Sequence, residues 1–310
     1  MYTIPPKKMV IINILDILKK YSDMDHRLTQ AQIIEILKKE YYMDVDRRTV
    51  KRNLMNLLDF DFGIDYTEII KKNEKGEEIP ICTDWYITRE FDDSEIRLLI
   101  DSVLFSKTIP QKQCKKLIDK LKGLSNIYFE KKVNHICSLP EIRPENKELF
   151  YTIDVLDEAI SKGKKVSFIY NSYGTDKKLH PKREREYVIN PYQMVATNGR
   201  YYLICNYDKY DTLSNYRIDR ITGIKMMNEK RKSIKELKEG EINLPKHMAE
   251  HLYMFAGESI RVKFKAKNYI IDQIIDWFGF GPKITKQDED TCMVEVEVNE
   301  EAFFHWAMQY

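Results

Sequence analysis

Apolar positions in the first sixty residues recur with a helical period. Ile11, Ile14, Leu15 and Leu18 follow an i, i+3, i+4, i+7 spacing, which predicts an amphipathic helix over 7–21. Thr29 followed by Gln32 is a capping-box pair that opens a second helix, with Ile33, Ile36 and Leu37 on its inner side. Asp46 is placed to cap a third helix whose inner face is Val50, Leu54, Leu57 and Leu58. β-like text follows at Tyr66–Ile70 and Trp85–Thr88, separated by a turn over Asn73–Glu78.

The pattern then returns to a helical period. Asp92 caps a stripe of Ile96, Leu99, Ile100 and Val103, and Pro110 opens a helix carrying Cys114, Leu117, Ile118 and Leu121. The Pro140–Pro144 stretch reads as a linker, and a helix over Glu148–Ser161 leads onward. From Lys164 the period drops to two: Val166, Phe168 and Tyr170 alternate with Ser167 and Ile169. Further strands are expected at Tyr187–Ala196, Arg200–Asn206 and Asn215–Ile221, with turns between them, as in a small closed antiparallel barrel. Residues 229–257 read as a charged, helical connector. The last fifty residues read strand (Ile260–Ala266), helix (Tyr269–Phe278), strand (Lys283–Gln287), strand (Thr291–Val298), helix (Glu300–Gln309). That is βαββα, one strand short of a ferredoxin-like unit, so the sequence is expected to lack its end.

The fold class expected is therefore α+β and multidomain. Three helices and a hairpin over 1–90 have the layout of a winged helix-turn-helix. A helical linker over 91–150, an Sm/SH3-like barrel over 151–228, the connector 229–257 and a C-terminal unit over 258–310 follow.

Composition narrows the class. The 310 residues carry 51 Lys+Arg against 49 Asp+Glu, so any basic surface must be local. With 43% hydrophobic and 32% charged residues, the chain reads as soluble and globular. No apolar run approaches the ~20 residues of a membrane span, and no apolar stretch follows the N-terminal Lys7–Lys8, so no membrane partner and a cytoplasmic location are expected. The five cysteines, at 82, 114, 137, 205 and 292, form no Cys-x-x-Cys pair and read as reduced thiols.

Two basic constellations carry candidate chemistry. On the third helix, Arg47, Arg48, Lys51 and Arg52 occupy the faces that Val50, Leu54 and Leu57 leave free, with Thr49, Asn53 and Asn56 on the same exposed surface. A recognition helix places such groups against base edges and phosphates, which makes duplex DNA the expected partner; the alternative is an ordinary solvated face. Between Lys162 and Arg185 lie eight Lys and Arg with His180, opposed within that span by Asp176 and Glu184 and interleaved with Tyr170 and Tyr173; Tyr187 and Tyr192 follow. Such a mix suits single-stranded nucleic acid, a nucleotide or another anion, or simply keeps a hairpin soluble.

A third pattern, His247-Met-Ala-Glu250-His251, matches an inverted zinc-peptidase motif, but no third ligand is evident and the pair reads as surface histidines on a connector helix. Asp288-Glu289-Asp290 reads as a solvated hairpin tip. Phosphate-binding loops, nucleophile elbows and dinucleotide fingerprints are absent. No enzyme activity, cofactor or metal is expected.

Gly199-Arg200-Tyr201-Tyr202-Leu203 and Tyr216-Arg217-Ile218-Asp219-Arg220-Ile221, with Pro191 upstream, complete a pattern that resembles the WYL-domain transcriptional regulators of bacteria; Tyr201 stands where the family motif has Trp. The resemblance extends over the order of units along nearly the whole chain. It implies a DNA-binding homodimer whose barrel senses an effector, a nucleic-acid fragment or nucleotide, with dimer contacts in the C-terminal unit. It carries Tyr201, Tyr202, Arg217 and Arg220 onto the ligand face, and His180 with Arg183 or Arg185. The alternative function is a nucleic-acid-binding accessory protein that modulates a partner enzyme. Neighbouring residues of a strand face opposite ways, so Tyr201 and Tyr202 cannot both face a ligand, and Arg217 and Arg220 point apart unless the strand ends between them. The favoured reading is Arg217 as anion contact and Tyr201 as packing.

Overall fold

A computed structural model describes residues 7–72, 76–129, 146–238, 240–255 and 257–310. The chain divides into two compact units, the described residues of Met1–Phe105 with Lys112–Glu141 and of Ser106–Gln111 with Ile142–Tyr310.

The first unit opens with α1 (Val10–Tyr21), α2 (Gln30–Tyr41) and α3 (Arg47–Asp59). α1 buries Val10, Ile14, Ile17 and Leu18, so its inner stripe sits beside the expected one, with Ile11 and Leu15 half-buried at the edge. The capping box at Thr29 forms as expected: the Thr29 hydroxyl accepts from the Gln32 amide, and the Gln32 side chain accepts from the Thr29 amide. Asp46 caps α3 by accepting from Thr49 N–H. Val50, Leu54 and Leu57 of α3 join Ile14, Ile17, Ile33 and Leu37 in one core. β1 (Ile64–Lys72) and β2 (Glu78–Ile87) pair antiparallel as a hairpin longer than expected. The tip at 73–75 lies outside the described residues. Trp85, fully buried, exchanges backbone hydrogen bonds of 2.8 Å with Leu28, which seats the hairpin against the start of α2.

α4 (Asp93–Phe105) and α5 (Gln111–Lys122) complete this unit. Ile96 and Ile100 are buried in α4, but Leu99 is exposed and Val103 only half-buried. α5 starts directly after Pro110. The expected linker at Pro140–Pro144 and Cys137 lie outside the described residues.

The second unit begins with α6 (Leu149–Lys162), stopped by Gly163 in a left-handed conformation (φ 61°) that a helix terminus favours in glycine. β3 (Lys164–Tyr173), β4 (Leu179–Pro181), β5 (Tyr187–Thr197), β6 (Arg200–Asn206), β7 (Ser214–Arg217) and β8 (Ile221–Lys230) form one curled antiparallel sheet. Its order is β4-β3-β5-β6-β7, with β8 also paired to β3. Two features differ from the expectation. The strand read over Asn215–Ile221 breaks into β7, a 3₁₀ turn at Ile218–Arg220, and β8. Among the described residues no ladder joins β7 to β8, so the sheet curls as a half-barrel without closing. Phe168, Ile189, Leu203, Ile218 and Ile221 fill its interior beneath Leu156 and Ala159 of α6.

The connector is less helical than its charge pattern suggests. β8 reaches Lys230, and its α-helix is the short α7 (Leu244–Glu250), capped by Asn243. The last segment follows the expected order: β9 (Ser259–Lys267), α8 (Ile271–Phe278), β10 (Lys283–Lys286), β11 (Thr291–Asn299), α9 (Glu300–Ala307). Its sheet runs β10-β11-β9. Inward residues of β11 pack with Phe278 and Trp306.

Among the described residues no helix is long and apolar enough to cross a membrane. Cys82, Cys114, Cys205 and Cys292 are free thiols.

Candidate functional site

α3 presents a graded set of side chains. Thr49 spends its hydroxyl on Asp46 at 2.7 Å, Asn53 donates to the Thr49 carbonyl at 2.8 Å, and Arg47 Nε donates to Gln30 at 2.9 Å. These three serve the helix and its seat on α2. The side chains of Arg48, Lys51 and Arg52 are exposed and make no hydrogen bond or ion pair among the described residues. Spaced i, i+3 and i+4, they share one face, and exposed Asn56 extends it by a further turn.

In the sheet unit, a second group forms where β7 ends. Arg217 is the last residue of β7, and its guanidinium grips Asp219 through two bonds, Nε to Oδ1 at 3.0 Å and Nη2 to Oδ2 at 2.6 Å. The Asp219 side chain is 1% exposed. Burial opposes the Arg217 charge, but the Asp219 bonds and charge outweigh it, so the arginine pKa is raised. Tyr170 of β3 accepts from the Arg217 amide through its phenol oxygen at 3.3 Å. Burial raises the Tyr170 pKa, while the Arg217 amide and the charges of Arg220 and Arg217 pull the other way. Both guanidiniums thus act on one phenol.

The 3₁₀ turn accounts for this. The strand ends between the two arginines: Arg217 is still extended (φ −68°, ψ 124°) and Arg220 lies in the 3₁₀ turn that follows, so the alternation of a continuous strand no longer dictates their directions. Arg220 lies 5.9 Å from the Tyr173 ring centroid. Its Nε is buried and unbonded, and its side chain has no ion pair among the described residues.

An aromatic cluster adjoins the pair. Tyr170 meets Tyr216 edge-on at 4.7 Å and Tyr187 at 5.9 Å, and Phe168 stacks on Tyr187 at 5.7 Å. The hydroxyls of Tyr207 and Tyr216 share a 2.7 Å hydrogen bond, and burial raises both their pKa values. The Arg183 guanidinium carbon lies over Tyr187, 3.4 Å from the ring centroid, and the side chain donates to the carbonyls of Arg185 and Glu186 at 3.1 Å.

A comparison with protein-family models matches residues 151–226 to the WYL domain. This stretch is similar to a WYL domain. No curated protein sequence matches the chain. Among solved structures, the proteasome accessory factor B/C (PafBC) of Arthrobacter aurescens is similar at 10% sequence identity, with a TM-score of 0.30. That alignment covers 98% of this chain and 47% of the other, so the chain spans about half the length of that structure.

Within the matched stretch the remaining candidates scatter. Tyr201 is 40% exposed and Tyr202 is 7% exposed, in a separate core with Tyr192, Ile204 and Leu213. The expectation that Tyr201 packs is therefore corrected: strand alternation turns Tyr202 inward and leaves Tyr201 outside. His180 is exposed on β4 and pairs with Asp176 at 2.9 Å. Arg185 is exposed. Among the described residues no hydrogen bond, ion pair or ring contact joins His180, Arg185 or Tyr201 to Arg217 or Arg220.

Three residues of this site carry no periodic signal in the sequence. Asp219 shows itself only as Arg217-x-Asp219. Asn171 donates to the Arg220 carbonyl at 3.0 Å and to the Thr222 hydroxyl at 2.9 Å. Asn146 donates to the carbonyls of Asp219 and Ile221 at 3.0 and 2.7 Å. Two buried asparagines thus hold the turn that carries the arginines.

Of the two histidines, His247 is not a surface residue, while His251 is half-buried. His247 is buried against the WYL sheet, 3.4 Å from the Asn215 side chain, and stacks on His251 at 4.2 Å. Burial, then the neighbouring His251 charge, lowers its pKa to about 4. Both ring nitrogens of His251 face backbone carbonyls, of His247 and Gly257. Among the described residues no three His, Cys, Asp or Glu are grouped to hold a metal ion. Asp288 caps its own turn by accepting from Asp290 and Thr291.

Proposed function

We propose that this protein is a cytoplasmic, DNA-binding transcriptional regulator whose WYL domain senses an anionic effector and alters operator binding. The observation that carries the reading is the contrast on α3. Arg47, Thr49 and Asn53 are committed to the fold, whereas Arg48, Lys51 and Arg52 stand exposed and unpaired on the third helix of a three-helix and hairpin unit. In this reading they meet phosphates and base edges in the major groove, with Arg47, Thr49 and Asn53 shaping the helix entry. As a homodimer, two such helices would read half-sites about 34 Å apart.

The effector would be a single-stranded nucleic acid or nucleotide. Arg220, with a shielded and unbonded Nε, supplies the open positive charge beside Tyr170 and Arg217. Of the other candidates, Arg183 lies over Tyr187 in the aromatic cluster next to this pair, whereas His180, Arg185 and Tyr201 stand exposed apart from it and Tyr202 is buried in a separate core. Effector binding shifts operator affinity only through a different affinity for the two states of the protein.

The experiment is an anisotropy titration with two probes, duplex DNA from upstream of the gene and a short single-stranded oligonucleotide. Arg52→Ala should weaken duplex binding and leave the oligonucleotide unaffected. Arg220→Gln should do the reverse. Full duplex affinity in Arg52→Ala across a salt series would remove α3 from the interface. A second reading, an accessory protein that works through the WYL domain alone, draws on the exposed and unpaired Lys177, Lys178, Lys182 and Arg185. It predicts that Arg52→Ala changes neither binding nor activity.

A further inference from the structure

The charge on α5 is out of keeping with the rest of the chain. The whole protein balances 51 basic against 49 acidic residues, yet α5 (Gln111–Lys122) carries five lysines and one acid, Asp119. Lys112, Lys115, Lys116 and Lys120 are all exposed. None has an ion pair or hydrogen bond among the described residues, and none pairs with Asp119, although lysines elsewhere find acids, as Lys165 does with Asp208 and Glu229.

The helix cannot turn this face away. Its other side is committed: Cys114 is buried with its thiol toward the Val103 carbonyl, and Ile118 and Leu121 pack on Ile96, Ile100 and Phe129. The four ammonium groups are therefore held outward on a rigid element. Like charges at Lys112/Lys116 and Lys116/Lys120 stand i, i+4, a spacing that weakens an isolated helix. A partner that neutralises them removes that penalty.

We infer that the exposed lysine face of α5 is a second nucleic-acid contact, binding the phosphate backbone of duplex DNA without reading its sequence. The inference rests on the DNA-binding reading of α3, with which α5 from Lys112 onward shares a compact unit. Regular spacing of point charges along one face suits a phosphate track. Each phosphate contact made by lysine releases counterions, which gives a direct readout.

The test uses the full chain and a random-sequence duplex. Affinity is measured by anisotropy over a range of salt for wild type, for Arg52→Ala, and for a variant combining Lys112→Gln, Lys115→Gln, Lys116→Gln and Lys120→Gln. Glutamine keeps helix propensity, and circular dichroism checks that the fold is retained. The log–log salt slope should fall by about 2 to 4 in the lysine variant, at about 0.9 per phosphate lost. Affinity at low salt should drop at least tenfold. An unchanged slope, with Arg52→Ala still impaired, overturns the α5 assignment alone and leaves α3 in place; this is also the outcome if the lysines serve an acidic protein. No duplex binding by wild type overturns both.

Discussion

The side-chain amide of Asn146 donates to the backbone carbonyl of Asp219 at 3.0 Å, across seventy-three positions of sequence. The same amide reaches Ile221, and its oxygen accepts from the Glu148 amide at 2.9 Å. Glu148 in turn accepts from Gly223 N–H at 2.8 Å. The entry to α6 is thereby fastened to the turn that holds Arg217 and Arg220.

Asn146→Ala should destabilise the sheet unit by about 2–3 kcal/mol, because two buried carbonyls lose their donor. Urea unfolding followed by tyrosine fluorescence reads this loss. Asn146→Asp should be no better, since a carboxylate cannot donate to either carbonyl.

Arg217→Ala strands a buried carboxylate. The expected loss is about 3–5 kcal/mol. Adding Asp219→Ala should recover part of it, and a double-mutant cycle in urea measures the coupling. Independent, additive effects would show that the pair contributes little. Arg217 is therefore a poor residue for probing ligand binding, and Arg220 is the better one.

His247 should give the protein an acid limit. Its pKa of about 4 lies below the ~6.5 of an exposed imidazole. Between these values the unfolded chain binds a proton that the folded chain refuses. The contribution is therefore complete above pH 6.5 and declines as pH falls toward 4. Melting temperatures at pH 7.0 and 4.5 should differ less in His247→Gln than in wild type. Equal drops would mean that other groups carry the acid sensitivity.

In the first unit, Asn126 should matter as Asn146 does in the second. It donates to Asp23 at 2.6 Å and accepts from the amides of Tyr128 and Phe129 at 3.0 Å. Tyr128 stacks on His26 at 3.6 Å, next to the same carboxylate. Asn126→Ala should lower the stability of this unit by about 1–3 kcal/mol, read by thermal melting.

What could be read from sequence was what depends on neighbours. The Thr29–Gln32 box, the Asp46 cap, the start of α5 after Pro110 and the alternation of β11 follow from residues within four positions of each other. The turn at Ile218–Arg220 was hidden because its residues are as apolar and charged as those of a strand. It is set by Asn146 and Asn171, which lie far away in sequence and leave no periodic mark. The Leu28–Trp85 exchange was invisible for the same reason. In the site, the basic residues could be counted from the sequence. Their division into committed and free depended on partners such as Gln30 and Asp219.

β3 takes partners on both sides, and they arrive at different times. β4 follows it within eight residues and β5 within twenty, but the ladder from Lys164 to Lys230 closes only with β8. On a ribosome adding about 5–20 residues per second, β3 waits roughly 3–13 s for that strand. During this interval one edge of Val166, Phe168 and Tyr170 is open to other chains. Translation pauses between codons 170 and 230 would therefore lower the yield of folded protein by lengthening that interval.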